Sequence, residues 1–338
     1  MPSVKIKAAA GSLNINYTIS TPSKTSAKSI DSKLPILLFL HPVYLSQEVF
    51  HPQFSDPLLR KFNLVTFDMR GHGETGGKVE GRFTRTEGAD DVIKLMDALK
   101  LEQVHLIGLS MGACIALQTS ILHPTRVSSC TMIAPLPLKE PESAAEGRRE
   151  IYDCWVEAFH DPKAIDYDIM RDAVSGAMQL GFNSNLSPIA KALSDRGSPL
   201  AVKNWTPKTF NTMYELTVGF FVSREPHPRE TLARIQCPVH IMHCEADIAY
   251  PIEYAQQLEN NLRAADVDVH LSSIGRQAPH FGSITHPDLV NPLIHESVKR
   301  SVRGPLPPSP ESVSSPFEET LVKCGLNDTD SDEDIRFL

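Results

Sequence analysis

No cluster of Lys and Arg occurs in the 338 residues, and the formal net charge is −8. Such a balance argues against non-specific binding to nucleic acid, which needs a basic surface to neutralise phosphates. No apolar run reaches the length that spans a bilayer, so no membrane span is expected. The opening Met1-Pro2-Ser3-Val4-Lys5-Ile6-Lys7 lacks the apolar core of a secretory signal. Six cysteines (Cys114, Cys130, Cys154, Cys237, Cys244, Cys324) are scattered without the spacing of a metal site. Most fall in segments expected to be buried, where a free thiol behaves as a small apolar group. A reducing, cytoplasmic compartment is the simplest expectation, and neither a metal nor a cofactor is expected. No internal repeat is visible.

What is present is an ordinary globular composition, 41% hydrophobic and 22% charged, arranged in alternating strand and helix signals. Val4 to Ala8 and Leu13 to Ile19 alternate as two antiparallel strands joined at Gly11. Pro35 to Leu40 and Leu64 to Phe67 are continuous apolar runs that suit strands covered on both faces. Residues 86–99 place Val92, Leu95, Met96 and Leu99 on one helical stripe. Further strands are expected at Val127 to Ile133, Pro238 to His243 and Val267 to Ser272. The spacing predicts an α/β fold with a mostly parallel central sheet flanked by helices. Between the strands, residues 136–235 read as helices only, an inserted lid. The expected division is a core from 1–135 and 236–302, the lid at 136–235, and a tail at 303–338. That tail is rich in Pro and Ser and then acidic, too poor in apolar area to offset its ordering entropy, and is expected to be disordered.

The sharpest motif is Gly108-Leu109-Ser110-Met111-Gly112, a G-x-S-x-G pattern between an apolar strand and a small-residue helix that Pro124 ends. A serine at such a strand-to-helix turn sits in a strained backbone conformation, so residues two positions away must be nearly side-chain-free. Serine is a weak nucleophile and needs a histidine base oriented by a carboxylate. Asp247, on the turn after the Pro238 to His243 strand, is the favoured acid, with Glu245 the competitor. His280, on the loop after the Val267 strand, is the favoured base. His286 is the alternative, in a helix-capping position before Pro287. Two backbone N–H groups must also face the developing oxyanion. Met111 supplies one, and Val43, after the imino residue Pro42, the other. Tyr44 either adds a hydroxyl or packs into the pocket wall. Trp155 and Phe210, with Phe159, Met213 and Phe220, either contact an apolar acyl or ring-bearing substrate or pack the lid.

Together His41-Pro42, Asp68-Met69-Arg70-Gly71-His72-Gly73, the serine motif, Asp247 and His280-Phe281 resemble the α/β-hydrolase superfamily in family order, over roughly residues 12–300. The resemblance is to its lidded branch of ester hydrolases, enol-lactonases and carbon–carbon bond hydrolases. It implies a structural role for the Asp68 to Gly73 turn. Two departures stand out: Pro42 replaces the family's usual glycine after His41, and Pro279 precedes the base where glycine is usual. The resemblance implies a serine hydrolase acting on an ester, lactone or similar acyl bond of a small molecule. A carbon–carbon bond hydrolase or an acyltransferase would reuse the same triad. A non-catalytic ligand-binding protein would not need all three groups.

Overall fold

Eight strands form one sheet in the computed structural model, which describes residues 2–161, 163–302 and 304–327. They are Ser3–Ala8 (β1), Gly11–Ser20 (β2), Ile36–Leu40 (β3), Asn63–Phe67 (β4), Val104–Leu109 (β5), Val127–Ile133 (β6), Val239–Cys244 (β7) and Val269–Ile274 (β8). Their spatial order is β1-β2-β4-β3-β5-β6-β7-β8. Strand β1 pairs antiparallel with β2 and β2 antiparallel with β4, and every later neighbour is parallel. Strands β3, β4, β5 and β7 are buried at every position. That is why their sequences are mostly apolar and show no regular polar–apolar alternation. The last strand lies two residues later than its apolar pattern suggests.

The parallel order puts the carboxyl ends of β5, β7 and β8 at one rim of the sheet, where α/β folds carry their ligands. Between β6 and β7 the chain makes helices Glu142–Glu157, Tyr167–Phe182 and Pro188–Asn204. A broken helix follows, Phe210–Tyr214 and Phe220–Val222, joined through a π-helical turn at Glu215–Gly219. Asp166 opens the second helix by accepting the Asp168 and Ile169 N–H groups at 3.1 and 3.2 Å. Ser187 and Pro188 open the third.

The C-terminal segment departs from expectation. Residues 304–327 are not a free tail: Phe317 and Leu321 are fully buried in the apolar cluster formed by Phe39 of β3 with Phe50 and Phe54 of the helical turns that follow it. The Phe317 ring stands 5.4 Å from Phe54. Buried Arg60 donates through Nη1 to the Ser314 carbonyl at 2.9 Å, and the short helix Glu318–Lys323 packs on Pro188–Asn204. Average composition misled here, because two apolar side chains at i and i+4 are enough to dock a polar segment when a preformed apolar groove receives them. The acidic run from 328 onward lies outside the described residues. Phe317→Ala should lower unfolding stability by about 3–5 kcal/mol, read from denaturant midpoints. A loss under about 0.5 kcal/mol, the scale of an inert surface change, would show that the segment contributes nothing to the fold.

Candidate active site

The serine motif is built by steric exclusion. Ser110 has φ 54° and ψ −111°, a conformation rare for any residue with a side chain. A Cβ on Gly108 would meet the Gly112 carbonyl oxygen at 2.3 Å, and one on Gly112 would meet the Leu40 oxygen at 2.1 Å. Both glycines are therefore required by close backbone approach, between β5 and its helix and between that helix and β3. Helix Met111–Leu122 is held by Ser110 accepting from the Ala113 and Cys114 N–H groups at 2.9 and 3.3 Å. The Ser110 N–H donates to Ile133 at the end of β6.

Three elements far apart in sequence converge on that serine. His280 Nε2 stands 2.8 Å from Ser110 Oγ, and His280 Nδ1 stands 2.5 Å from Asp247 Oδ2. Asp247 Oδ1 accepts the backbone N–H groups of Ala249 and Tyr250 at 3.0 Å each, so the carboxylate cannot rotate freely. Ser110 is 1% exposed and His280 0%, so the pair lies under cover. The Phe281 N–H donates to Gly181 at 2.8 Å and Asn183 Nδ2 to the Ala246 carbonyl at 2.7 Å. The end of helix Tyr167–Phe182 thus ties down the loops bearing both His280 and Asp247.

The alternatives separate by geometry. Glu245 faces outward, accepting from the Ser273 hydroxyl at 2.6 Å in an exposed position. His286 sits at the start of helix Pro287–Lys299, with Nδ1 2.8 Å from the Thr285 hydroxyl. Other histidines nearby are poor bases. Burial, with His72 adding to it, lowers His41 to about 3, and burial lowers His72 to about 4. His41 Nε2 accepts the Met69 N–H at 2.8 Å while Nδ1–H donates to the Pro42 carbonyl at 2.7 Å, so this ring braces two loops. The Asp68 turn is braced likewise: Asp68 accepts the Gln47 and Glu74 N–H groups at 3.0 and 2.9 Å. Arg70 makes a buried two-oxygen contact with Asp91 at 2.8 and 2.7 Å.

Among the described residues, the N–H groups of Met111 and Val43 have no protein acceptor. Tyr44 follows with φ 70°, strained for a non-glycine residue. Tyr44, Trp155, Trp205 and Met213 line a narrow apolar cavity of about 40 Å³, and Trp155 Nε1 donates to the Trp205 carbonyl at 2.9 Å. A larger cavity of about 370 Å³ opens beside it, walled by Arg148, Ile151, Ile248 and Ala249. Ser110 lines neither cavity. Being within hydrogen-bond reach of His280, it lies next to the Asp247 loop that carries Ile248 and Ala249. Phe210 lines neither cavity and packs on Phe159, with centroids 5.5 Å apart, the packing alternative of the two that the sequence offers. Sequence reasoning missed Arg148, Glu140 and Tyr250, a buried polar group on the insert side of His280. Tyr250 packs its ring 5.2 Å from the His280 ring. No spacing rule brings these three together, because they meet only when the insert closes on the sheet.

Residues 35–165 match the family model described as the alpha/beta hydrolase fold. A protein of Bacillus subtilis (strain 168) named for 2-succinyl-6-hydroxy-2,4-cyclohexadiene-1-carboxylate synthase is 32% identical over 122 residues, which span 36% of this chain and 41% of that protein. A thermophilic esterase from Thermogutta terrifontis superposes with a TM-score of 0.67 at 19% identity, covering 89% of this chain and 99% of that one. The enol-lactonase from Burkholderia xenovorans LB400 gives a TM-score of 0.65 at 16% identity, covering 88% and 100%. At that identity the two structures show a shared fold. Residues 35–165 thus match the α/β-hydrolase family, and the chain as a whole shares that fold. Among the described residues no helix is long and apolar enough to cross a membrane.

Proposed function

We propose that the chain is a serine hydrolase that cleaves an ester, lactone or related acyl bond of a small molecule. One observation carries the reading: the continuous hydrogen-bonded line from Ser110 Oγ through the His280 ring to a carboxylate fixed by two backbone donors. In this reading His280 Nε2 removes the Ser110 proton as Oγ attacks the acyl carbon. Asp247 holds Nδ1–H and stabilises the imidazolium. The Met111 and Val43 N–H groups, free of protein acceptors, receive the oxyanion. His280 then returns the proton to the leaving oxygen. Water, activated by the same imidazole, releases the acyl group from Ser110. The helical insert acts as a lid, and the larger cavity walled by Ile151, Ile248 and Ala249 takes an apolar acyl or ring portion, with the narrow cleft at Tyr44, Trp155 and Trp205 beside it.

The names of the similar proteins, an esterase and an enol-lactonase, agree with acyl-bond chemistry. The test is covalent labelling with a fluorophosphonate, followed by peptide mass spectrometry. A single adduct on Ser110 is expected. An adduct on another serine, or none from folded protein, refutes the assignment.

A further inference from the structure

The buried polar group beside the triad carries more positive charge than it neutralises. Glu140 is its one carboxylate and faces two guanidiniums: Arg148 Nε at 2.7 Å from Oε1 and Arg224 Nη2 at 2.7 Å from Oε2. The Tyr250 hydroxyl donates to Glu140 Oε1 at 2.8 Å and accepts from Arg148 Nη2 at 2.8 Å. Arg148 is 1% exposed and lies flat on Phe221, its Cζ 3.4 Å from the ring centre. The guanidinium is thus locked in place on one face and on two of its three nitrogens. Its remaining nitrogen, Nη1, is buried and without a partner.

A second buried donor nearby also lacks an acceptor. The Tyr44 hydroxyl makes no hydrogen bond of ordinary geometry. It faces Arg148, whose charge and loose side-chain contact oppose the upward push of burial on its pKa. Because a guanidinium only donates, that contact leaves the O–H proton without an acceptor. An unmet buried donor costs free energy unless a ligand meets it. Both groups sit on the substrate side of the site. Tyr44 follows the oxyanion residue Val43 and lines the apolar cavity, while Arg148 lines the larger cavity. Ile151 is shared by both walls. The Tyr250 that holds Arg148 also packs on His280. A neutral carbonyl could take either donor but would leave the surplus charge uncompensated. A carboxylate accepts from both and offsets it.

We propose that Arg148 Nη1 and the Tyr44 hydroxyl form a subsite for a carboxylate of the substrate, beside the acyl bond presented to Ser110, so that the preferred substrate is an anionic acid with an apolar body. The location of the scissile bond rests on the serine-hydrolase reading; recognition of the carboxylate does not. The full chain carrying Ser110→Ala is titrated calorimetrically with 4-phenylbutyrate and with the isosteric neutral 4-phenylbutanamide, so no turnover is needed. The acid should bind at least about tenfold more tightly, the factor a single charge-assisted hydrogen bond carries. Adding Arg148→Gln should bring the two affinities within about twofold, the preference having lost that bond. Should that variant fail to fold, Tyr44→Phe, which removes one hydroxyl and no charge, should still cut the preference by about threefold. Equal affinities for acid and amide, no saturable binding of the acid, or a preference that survives in the folded variants overturns the subsite. Failure of phosphonate labelling at Ser110 counts against the hydrolase reading alone.

Discussion

Ser110→Ala and His280→Ala should each lower kcat on a cleavable ester by about a million-fold, and the double variant should be no worse than either single one. In the triad reading the two side chains act as one unit. Without the imidazole the serine hydroxyl keeps its proton, and without Oγ the imidazole has nothing to deprotonate. Their 2.8 Å contact is the physical basis of that coupling. Residual rates should stay above those in water, because the Met111 and Val43 N–H groups remain to receive an oxyanion. Folding should be little affected by Ser110→Ala. The required strain lies in the backbone at φ 54°, and alanine carries the same Cβ there as serine. Steady-state assay of purified variants, with circular dichroism as the folding control, decides the matter. Additive losses in the double variant would mean that the two groups act independently, and the triad reading would fail.

The parts of this site legible in the sequence are those where backbone geometry restricts residue type. Gly108 and Gly112 are written into the chain because any Cβ there collides with backbone, so the elbow is visible as a spacing. Asp247 and His280 are legible through position, Asp247 on a turn just past the fully buried strand β7 and His280 on the loop after β8, which is buried only at its two ends. Position along the turn favours Asp247 over Glu245, and the structure adds that two N–H groups lock the first carboxylate while the second reaches Ser273. Arg148, Glu140 and Tyr250 left no such trace. Their meeting depends on how the insert docks, and an arginine in an amphipathic helix reads as a solvated residue. The same limit applies to Phe317 and Leu321, whose groove is assembled from residues near Phe39 and Phe54. Local pattern records what a residue's neighbours in the chain demand. It does not record which distant surface will receive it.

Asp247→Asn should lower kcat by about 10⁴ while leaving a folded protein. The reason lies in the donor count around the carboxylate. Oδ2 takes the His280 Nδ1–H and Oδ1 takes the Ala249 and Tyr250 N–H groups, so every partner is a donor. An asparagine amide has one acceptor oxygen and one donor NH₂. If its oxygen serves the two backbone groups, the NH₂ confronts Nδ1, and the imidazole must move its proton to Nε2. That tautomer presents a donor to Ser110 and can no longer remove its proton. If the amide turns over, the histidine keeps its tautomer but two buried N–H groups face an NH₂. The loop that holds Asp247 then shifts away from the ring. Either orientation removes the base. Glu245→Gln, in an exposed contact with Ser273, should leave kcat within about twofold, as expected for a surface polar change. The two variants are to be compared at matched melting temperature on the same ester. Near-normal turnover in Asp247→Asn, with loss in Glu245→Gln, would transfer the acid role to Glu245.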